Sequence, residues 1–472
     1  MALTIIWVRD DLRIADNPAL DWARAHGEVA AVFIREQHPQ VRPLGAAAKW
    51  WQERSLYFFE AALAAQGMKL WRLEGDPTQL LPELVASLGA SAVTWNRRYH
   101  QPLCSIDAAI KAQLASAGIE VRSHAGFLLN EPWEIKTGQG TSYKVFSPFA
   151  KKAFEQAEVQ AQSFVGGREV EAGTGFEPGV EAGFEAGPGW QQQLAAACHP
   201  GESAAQQKLA DFIEFLSAGG DYATGRDHME VAATSGLSPH LRFGELSIHR
   251  VWWEISTRAD SGEIHPAAAR AFLNELLWRD FSWHRLYEHP TMHQHNIRTT
   301  FDNFPWEWDA QEARDLRSTM EDPRKARGTG EFHEVFAAWR SGQTGIALVD
   351  AGMRELWATG TMHNRARMVV ASFLTKNLLI HWRHGEEWFW DTLVDADHAA
   401  NAFNWQWVAG CGDDAAPYFR IFNPETQAQK FDPEQTYIRR WIAEYGTPAY
   451  PAPIVDLPQS RRAALAAYQA MG

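Results

Sequence analysis

Four segments of the sequence bring together side chains that suit chemistry better than packing. Asn274-Glu275-Leu276-Leu277-Trp278-Arg279 places Glu275, Trp278 and Arg279 at i, i+3 and i+4, on one helical face. Such a trio is poor core material and needs partners if buried. A surface salt bridge beside a half-buried tryptophan accounts for the same residues. Met362-His363-Asn364-Arg365-Ala366-Arg367-Met368 opens the apolar run Val369–Ile380, with Asn364, Arg367 and Met368 sharing a face. Two arginines there suit a phosphate or carboxylate held inside the protein, and a basic helix start at the surface would look alike. Asp395-Ala396-Asp397-His398-Ala399-Ala400-Asn401 leads into Asn404-Trp405-Gln406-Trp407 and on through Asp413-Asp414 to Asn423-Pro424. Paired aspartates suit metal ligation or acid–base work. Beside Asn364, Arg367 and Trp405, they favour recognition of a polar ring system. Tyr222-Ala223-Thr224-Gly225-Arg226-Asp227, ahead of Thr234-Ser235-Gly236-Leu237-Ser238-Pro239, offers hydroxyls and backbone N–H groups for a pyrophosphate. An ordinary capped turn uses the same residues. The histidines, including His289, His293 and His295, lack metal-ligand spacing, so no metal is expected.

These segments need elements to hold them. Residues 1–130 alternate apolar runs with helical patterns. Strands are predicted at Leu3–Val8, Val29–Ile34, Lys69–Leu73, Ala92–Trp95 and Glu120–Ser123, and helices at Ala46–Gln66, Pro77–Leu88 and Ile106–Ala117. This alternation predicts an α/β domain with a doubly wound parallel sheet. No GxGxxG or P-loop marks it as a dinucleotide or ATP site. Residues 131–205 read as an interdomain linker. Within it, 166–189 carries eight glycines in 24 residues mixed with glutamate, the composition of a flexible acidic tether. Residues 206–472 read as an all-α domain, with helices at 267–287, 345–358 and 363–380 and a charged surface insertion at 309–335.

Composition narrows the class. The 472 residues are 46% hydrophobic and 22% charged, as in a soluble globular chain. Lys and Arg number 44 against 58 Asp and Glu, a net charge of −14 that excludes a general nucleic-acid coat but not a local basic rim. Three separated cysteines, Cys104, Cys198 and Cys411, exclude a disulfide framework and a four-cysteine iron–sulfur cluster, and they suit a reducing cytoplasm. No signal peptide or membrane span is read. The 22 tryptophans suit either a Trp-rich core or a site that uses indoles for stacking or electron transfer.

In this order the four segments resemble the photolyase/cryptochrome flavoprotein family, most of all its bacterial class III group. The opening Trp7-Val8-Arg9-Asp10-Asp11-Leu12-Arg13-Ile14-Ala15-Asp16-Asn17-Pro18 and Tyr143-Lys144-Val145-Phe146-Ser147-Pro148-Phe149 match as well. The resemblance covers nearly the whole chain and is most specific from Asn364 to Pro424. It implies an α/β antenna domain, a long linker and a helical domain that buries FAD. It implies FAD contacts from Tyr222, Thr234, Ser235, Leu237 and Ser238 at the phosphates and ribityl chain. Glu275, Arg279, Asn364, Arg367, Asp395, Asp397 and Asn401 would surround the rings, with Asn401 facing flavin N5. It implies UV-damaged DNA as partner, bound by a monomer. Trp278 and Trp407 would flank a flipped-out base pair, Glu275 and Asn364 would bond the base edge, Arg226 and Arg365 would hold the DNA backbone, and Met368 would pack against the pocket. Extrusion of the lesion is a general behaviour of photolyases and is not read from spacing. The implied reaction is light-driven electron transfer from reduced FAD to a cyclobutane pyrimidine dimer, which makes Glu275, Asn364, Asn401, Trp278 and Trp407 the implied catalytic set. Trp405, Trp382 and Trp306 (or Trp308) resemble the family's tryptophan relay.

Departures from the pattern also matter. Phe272 and Thr361 stand where many relatives have tryptophan. His100-Gln101-Pro102-Leu103-Cys104 replaces the Asn-Glu pair that holds folate in some relatives, although methenyltetrahydrofolate remains the antenna that a class III resemblance implies. His363-Asn364 and Met368 argue against the (6-4) photolyases, which carry a histidine pair there. A cryptochrome, a blue-light photoreceptor acting through a protein partner, is the main alternative. The retained Trp278 and Trp407 speak for repair.

Overall fold

The computed structural model describes residues 2–165, 189–308, 330–415 and 419–471. The Gly/Glu-rich stretch 166–188 and most of the predicted insertion, 309–329, lie outside the described residues. Five parallel strands, β1 (Leu3–Val8), β2 (Glu28–Glu36), β3 (Leu70–Gly75), β4 (Ala92–Asn96) and β5 (Glu120–His124), form one sheet in the order β3-β2-β1-β4-β5. The central β1 is buried from Ile5 to Val8 and reads as a continuous apolar run, as a strand covered on both faces must. Helices Pro18–Ala25, Ala46–Ala65, Pro77–Leu88 and Leu103–Ser116 form its crossovers. The first of these is absent from the sequence prediction. Its start is set by Asn17, whose side chain accepts from Leu20 N at 3.2 Å, and by Pro18 in the first turn.

The strand order reverses between β1 and β4, where open α/β sheets form a ligand crevice. Here the second half of the chain fills part of it. Leu12 N–H donates to Phe243 O at 3.1 Å, and Arg13 Nη1 donates to Gly244 O at 2.9 Å. Arg250 grips Asp16 through both carboxylate oxygens at 2.9 and 3.0 Å, and Arg242 pairs with Asp10 at 2.7 Å. Gly244 is required in this contact. Its φ is 61°, and a Cβ would lie 2.3 Å from Asp10 O.

Beyond the sheet the described chain is helical and packs as two cores. One gathers helices Phe146–Val165, Glu202–Ser217, Ile248–Asp260 and Pro266–Glu288 around Phe149, Phe212, Trp252 and Phe281. The other gathers helices Glu331–Arg340, Ala347–Thr359, Asn364–Ser372 and Trp382–Thr392 around Trp339, Phe373, Trp382 and Phe389. Helix Ala400–Ala409 joins them, giving Phe403 to the first core and Trp405 to the second. Three sequence expectations change. The predicted helix 363–380 ends its α-helical part at Ser372 and continues as a π-helical turn, Phe373–Asn377. Residues 331–335 are the first turns of a helix whose Phe336 is fully buried, not surface insertion. Phe146–Val165, within the stretch read as linker, is a helix packed in the first core.

Burial sets the pH response. His100, His249, His284, His363, His381 and His398 are all held below their ordinary titration range, first by desolvation. For these groups the unfolded chain binds more protons below about pH 6.5, so their stabilising effect is present above that pH and lost as pH falls through it. The buried carboxyls act oppositely. Glu202, accepting from Ile14 and Ala15 N–H, and Asp280, accepting from Leu129 and Asn130 N–H, are both pushed up to about 7 by burial. With His124 and His289, eight lowered histidines stand against seven raised carboxyls, Glu275, Asp350, Glu355, Glu386 and Asp414 among them, so the melting temperature is expected to fall between pH 6.5 and 5. A melting temperature that rises over that interval would refute this balance.

Candidate functional site

The predicted site residues converge where the two helical cores meet. Asp395, in the turn after Trp382–Thr392, accepts both contacts of a forked bond from Arg367 Nη2, at 3.2 and 2.9 Å. Ser238 Oγ donates to the same carboxylate at 2.7 Å. The Asp395 side chain is 5% exposed and that of Arg367 is 27% exposed, so the pair has a closed acidic end and an open basic end. Arg367 is aimed by Nε, which donates to Met362 O at 2.8 Å. The helix carrying Arg367 starts at Asn364 because His363 caps it, accepting from Arg365 N through Nδ1 at 3.2 Å. Burial lowers the His363 imidazole to about 4, so it caps as the neutral ring. Asn364 is exposed at the first position of that helix, and Met368 packs half-buried one turn on.

Asp397 has both oxygens engaged by protein. One accepts Ala399 and Ala400 N–H at 2.8 and 2.7 Å and starts helix Ala400–Ala409, and the other accepts Trp283 Nε1–H at 3.2 Å. Asn401, one turn on, donates Nδ2–H to Glu386 O at 3.0 Å and to Glu386 Oε1 at 2.9 Å. Glu386 is held in turn by Arg42 through both guanidinium ends, at 2.7 and 2.8 Å. With Nδ2 thus engaged, Asn401 keeps its carbonyl oxygen as the free acceptor.

The helix face Glu275, Trp278, Arg279 exists but does not form an internal pair. Glu275 is bonded to Arg226, while Arg279 turns to Phe127 O at 2.8 Å and Leu241 O at 3.4 Å. Desolvation raises the Glu275 carboxyl, against the pull of Arg226. Tyr222 is buried against the Phe212 and Phe272 rings. Phe272 therefore fills its place in the core, and Thr361 hydrogen-bonds Thr359. Leu237 is buried, Thr234 and Ser238 are exposed, and Ser235 accepts from Leu237 N at 3.4 Å. Gly236 lies in the left-handed region with φ 62°, and a Cβ there would meet Lys208 Nζ at 3.3 Å. Lys208 thus lies beside Gly236, in the middle of the Thr234–Ser238 turn. Sequence reasoning missed it, since nothing in helix Glu202–Ser217 distinguishes one lysine.

At the mouth, Trp278 is stacked on Phe146, with centroids 3.5 Å apart and planes at 8°. Trp407 donates Nε1–H to Asp414 O at 3.0 Å, and the Asp414 carboxylate accepts the backbone N–H of Phe146. The two predicted indoles, 129 positions apart on different helices, are therefore tied into one rim through Phe146 and Asp414. Arg365 pairs with Asp227 at 2.6 Å and lies 4.2 Å from the Phe431 ring. Trp405 packs edge-on to Phe389 at 5.0 Å, so close to helix Trp382–Thr392 that a Cβ on Gly385 would lie 2.0 Å from its indole. Trp382 donates Nε1–H to Asn296 Oδ1 at 2.8 Å, and its ring lies 5.6 Å from that of His381, which lies 5.4 Å from Trp306.

This donor set fits a flavin dinucleotide. It offers hydroxyls, a left-handed glycine and a lysine for a diphosphate, an Arg–Asp pair for a polar ring edge, and one amide oxygen aimed by Glu386. No cluster of three or more His, Cys, Asp or Glu side chains suited to a metal occurs among the described residues. None of the described helices is long and apolar enough to cross a membrane.

An α/β sheet domain followed by a helical domain with such a donor set defines a class of flavin-binding proteins. Residues 4–165 match the family model described as DNA photolyase, and residues 272–448 match the model described as the FAD binding domain of DNA photolyase. The chain is 39% identical to the deoxyribodipyrimidine photo-lyase of Agrobacterium fabrum, over 100% of this chain and 98% of the relative. It is 34% identical to cryptochrome-2 of Arabidopsis thaliana, over 93% of this chain and 70% of that one. A crystal structure of a bacterial class III photolyase from Agrobacterium tumefaciens superposes with a TM-score of 0.82 at 38% identity, covering 100% of this chain and 98% of the other. The chain belongs to the photolyase/cryptochrome family.

Proposed function

We propose that this chain is a light-dependent DNA-repair flavoenzyme, a deoxyribodipyrimidine photo-lyase that splits cyclobutane pyrimidine dimers. The observation that carries the proposal is the rim that ties Trp278 to Trp407 through Phe146 and Asp414. Two flat indoles at one opening suit two extruded bases, each stacking contact contributing about 1–3 kcal/mol. When bound and reduced, FAD supplies the photoexcited electron that splits the dimer, and the electron's return leaves no net redox change. The chain's own side chains do the rest. Lys208, Thr234, Ser235 and Ser238 hold the diphosphate, while Tyr222, Leu237 and Arg279 close that side of the cleft. Arg367, Asp395 and Asp397 fix the ring edge. Asn401 presents its carbonyl to N5, a match for the N–H of the reduced ring. Glu275 and Asn364 bond the lesion's edge, Met368 packs against the pocket, and Arg226 and Arg365 release their carboxylate partners to take phosphates. Trp405, Trp382 and Trp306 carry electrons inward for photoreduction.

The antenna we favour is methenyltetrahydrofolate. A cavity of about 440 Å³ opens at the carboxyl ends of β4 and β5, against helix Pro266–Glu288. Trp95, Tyr99, Trp133 and Tyr287 give it aromatic walls for a pterin, and Arg97 and Lys111 suit glutamyl carboxylates. We place the protein in the cytoplasm as a monomer. Its three cysteines are free thiols, two of them buried.

The test is recovery of thymine absorbance by the photoreduced protein on UV-damaged oligothymidine, in blue light and in the dark. Recovery in light alone supports repair. Bound, photoreducible FAD without recovery would replace this reading by a cryptochrome-type photoreceptor. A second expected outcome concerns the cradle. Lys208→Ala should weaken FAD binding about tenfold, by loss of one charge-assisted contact of roughly 1.5 kcal/mol. Unchanged affinity in a dilution series would remove Lys208 from the site.

A further inference from the structure

We propose that Arg285 is the positioning residue of the lesion rim, a buried guanidinium that sets the Trp278 and Trp407 indoles relative to each other. The inference rests on reading these two indoles as the lesion site and adds the group that aligns them. Arg285 lies on helix Pro266–Glu288, seven positions beyond Trp278 and so about two turns along the same face. It is 1% exposed, too deep to touch DNA itself. All of its guanidinium nitrogens are engaged. Nη1 donates to Tyr143 O at 3.0 Å, and Nε and Nη2 lie 2.7 and 2.6 Å from Asp413 Oδ2.

Those partners belong to the two segments that hold the indoles. Tyr143 stands three residues before Phe146, whose ring lies flat on Trp278. Asp413 directly precedes Asp414, whose carbonyl accepts the Trp407 Nε1–H and whose carboxylate accepts the Phe146 N–H. Asp414 has φ 57°, in the left-handed region that few non-glycine residues occupy, and Asp413 anchors the turn that keeps it there. Trp278 is thus tied through Phe146 and Tyr143, and Trp407 through Asp414 and Asp413, to one planar group. The rigid fork of a guanidinium fixes both directions of that tie. A buried ion pair adds little net stability over apolar residues of similar volume, so the contribution of this clamp is geometric. Extruded bases that stack on both indoles at once need the two ring planes at a set separation and tilt. Undamaged DNA, which keeps its bases in its own stack, does not.

The experiment is dark binding of the flavin-loaded full chain to a dimer-containing oligonucleotide and to its undamaged counterpart, read by fluorescence anisotropy, with the melting temperature measured alongside. Arg285→Met should lose about tenfold in affinity for the damaged strand, the lower part of what one stacked base contributes, and change little on the undamaged one. Its melting temperature should also fall, because Asp413 is left without the guanidinium. Arg285→Met with Asp413→Asn removes the stranded charge. It should recover melting temperature and still lack the lesion preference. A double variant that regains the preference together with its melting temperature shows a merely structural pair and overturns the proposal. So does Arg285→Met with the preference of the unmodified protein. If the unmodified protein binds both strands alike, the repair reading falls and the proposal with it. If Trp278→Ala loses the preference while both Arg285 variants keep it, the proposal alone falls.

Discussion

Replacing Arg367 with methionine is expected to yield a chain that purifies nearly free of flavin. The substitution keeps an unbranched apolar stem of intermediate length but leaves Asp395 with its hydroxyl partner Ser238 and no guanidinium. Breaking one side of a buried, hydrogen-bonded pair costs about 3 kcal/mol, roughly a hundredfold in affinity. The ring edge loses its only open guanidinium at that position as well. The ratio of visible flavin absorbance to protein absorbance reads the result directly. Arg367→Met with Asp395→Asn should recover part of the binding, because the uncompensated charge is gone. A single variant that purifies with full flavin would show that the Arg367–Asp395 pair does not face the cofactor.

The second large effect is on lesion recognition. Trp278→Ala and Trp407→Ala should each weaken dark binding of a dimer-containing oligonucleotide by about 5- to 150-fold, the range of 1–3 kcal/mol per stacked base. Binding of the undamaged oligonucleotide should change less than about twofold, since its bases stay in their own stack. Fluorescence anisotropy in the dark separates the two, because no repair removes the ligand. Trp407→Phe keeps a ring but loses the bond to Asp414 O. It should fall between wild type and alanine. Equal losses on damaged and undamaged DNA would mean that the indoles serve the backbone and not the lesion.

How far the sequence speaks for itself depends on how local the cause is. The sheet is legible because each parallel strand carries its own apolar run, as Ile5 to Val8 do in β1. Asp395, Asp397 and Asn401 are legible together because one turn and the helix it starts hold all three. The π-helical turn at Phe373–Asn377 is not, since an apolar run supports either winding. Nor are the long-range partners. Arg42 lies 344 positions from Glu386, and no local pattern marks either as the support of Asn401. Phe146 lies in the Tyr143–Phe149 motif, but only the fold lays it flat on Trp278. The pairing of Glu275 with Arg226, not with the Arg279 on its own face, shows helical spacing proposing neighbours that tertiary contacts then reassign.

The filled crevice between β1 and β4 bears on how such proteins can be recombined. Gly244 admits no side chain, and Arg13, Asp16, Arg242 and Arg250 interlock across the seam. Arg42 carries the same seam to Asn401. An amino-terminal half taken from a distant relative would arrive with a different set of teeth. It would leave buried guanidinium groups unmatched and Glu386 without its clamp. The sheet domain and the helical domain therefore form a matched set, and hybrids that exchange one of them are expected to fold only where the 9–16 and 241–250 segments travel together.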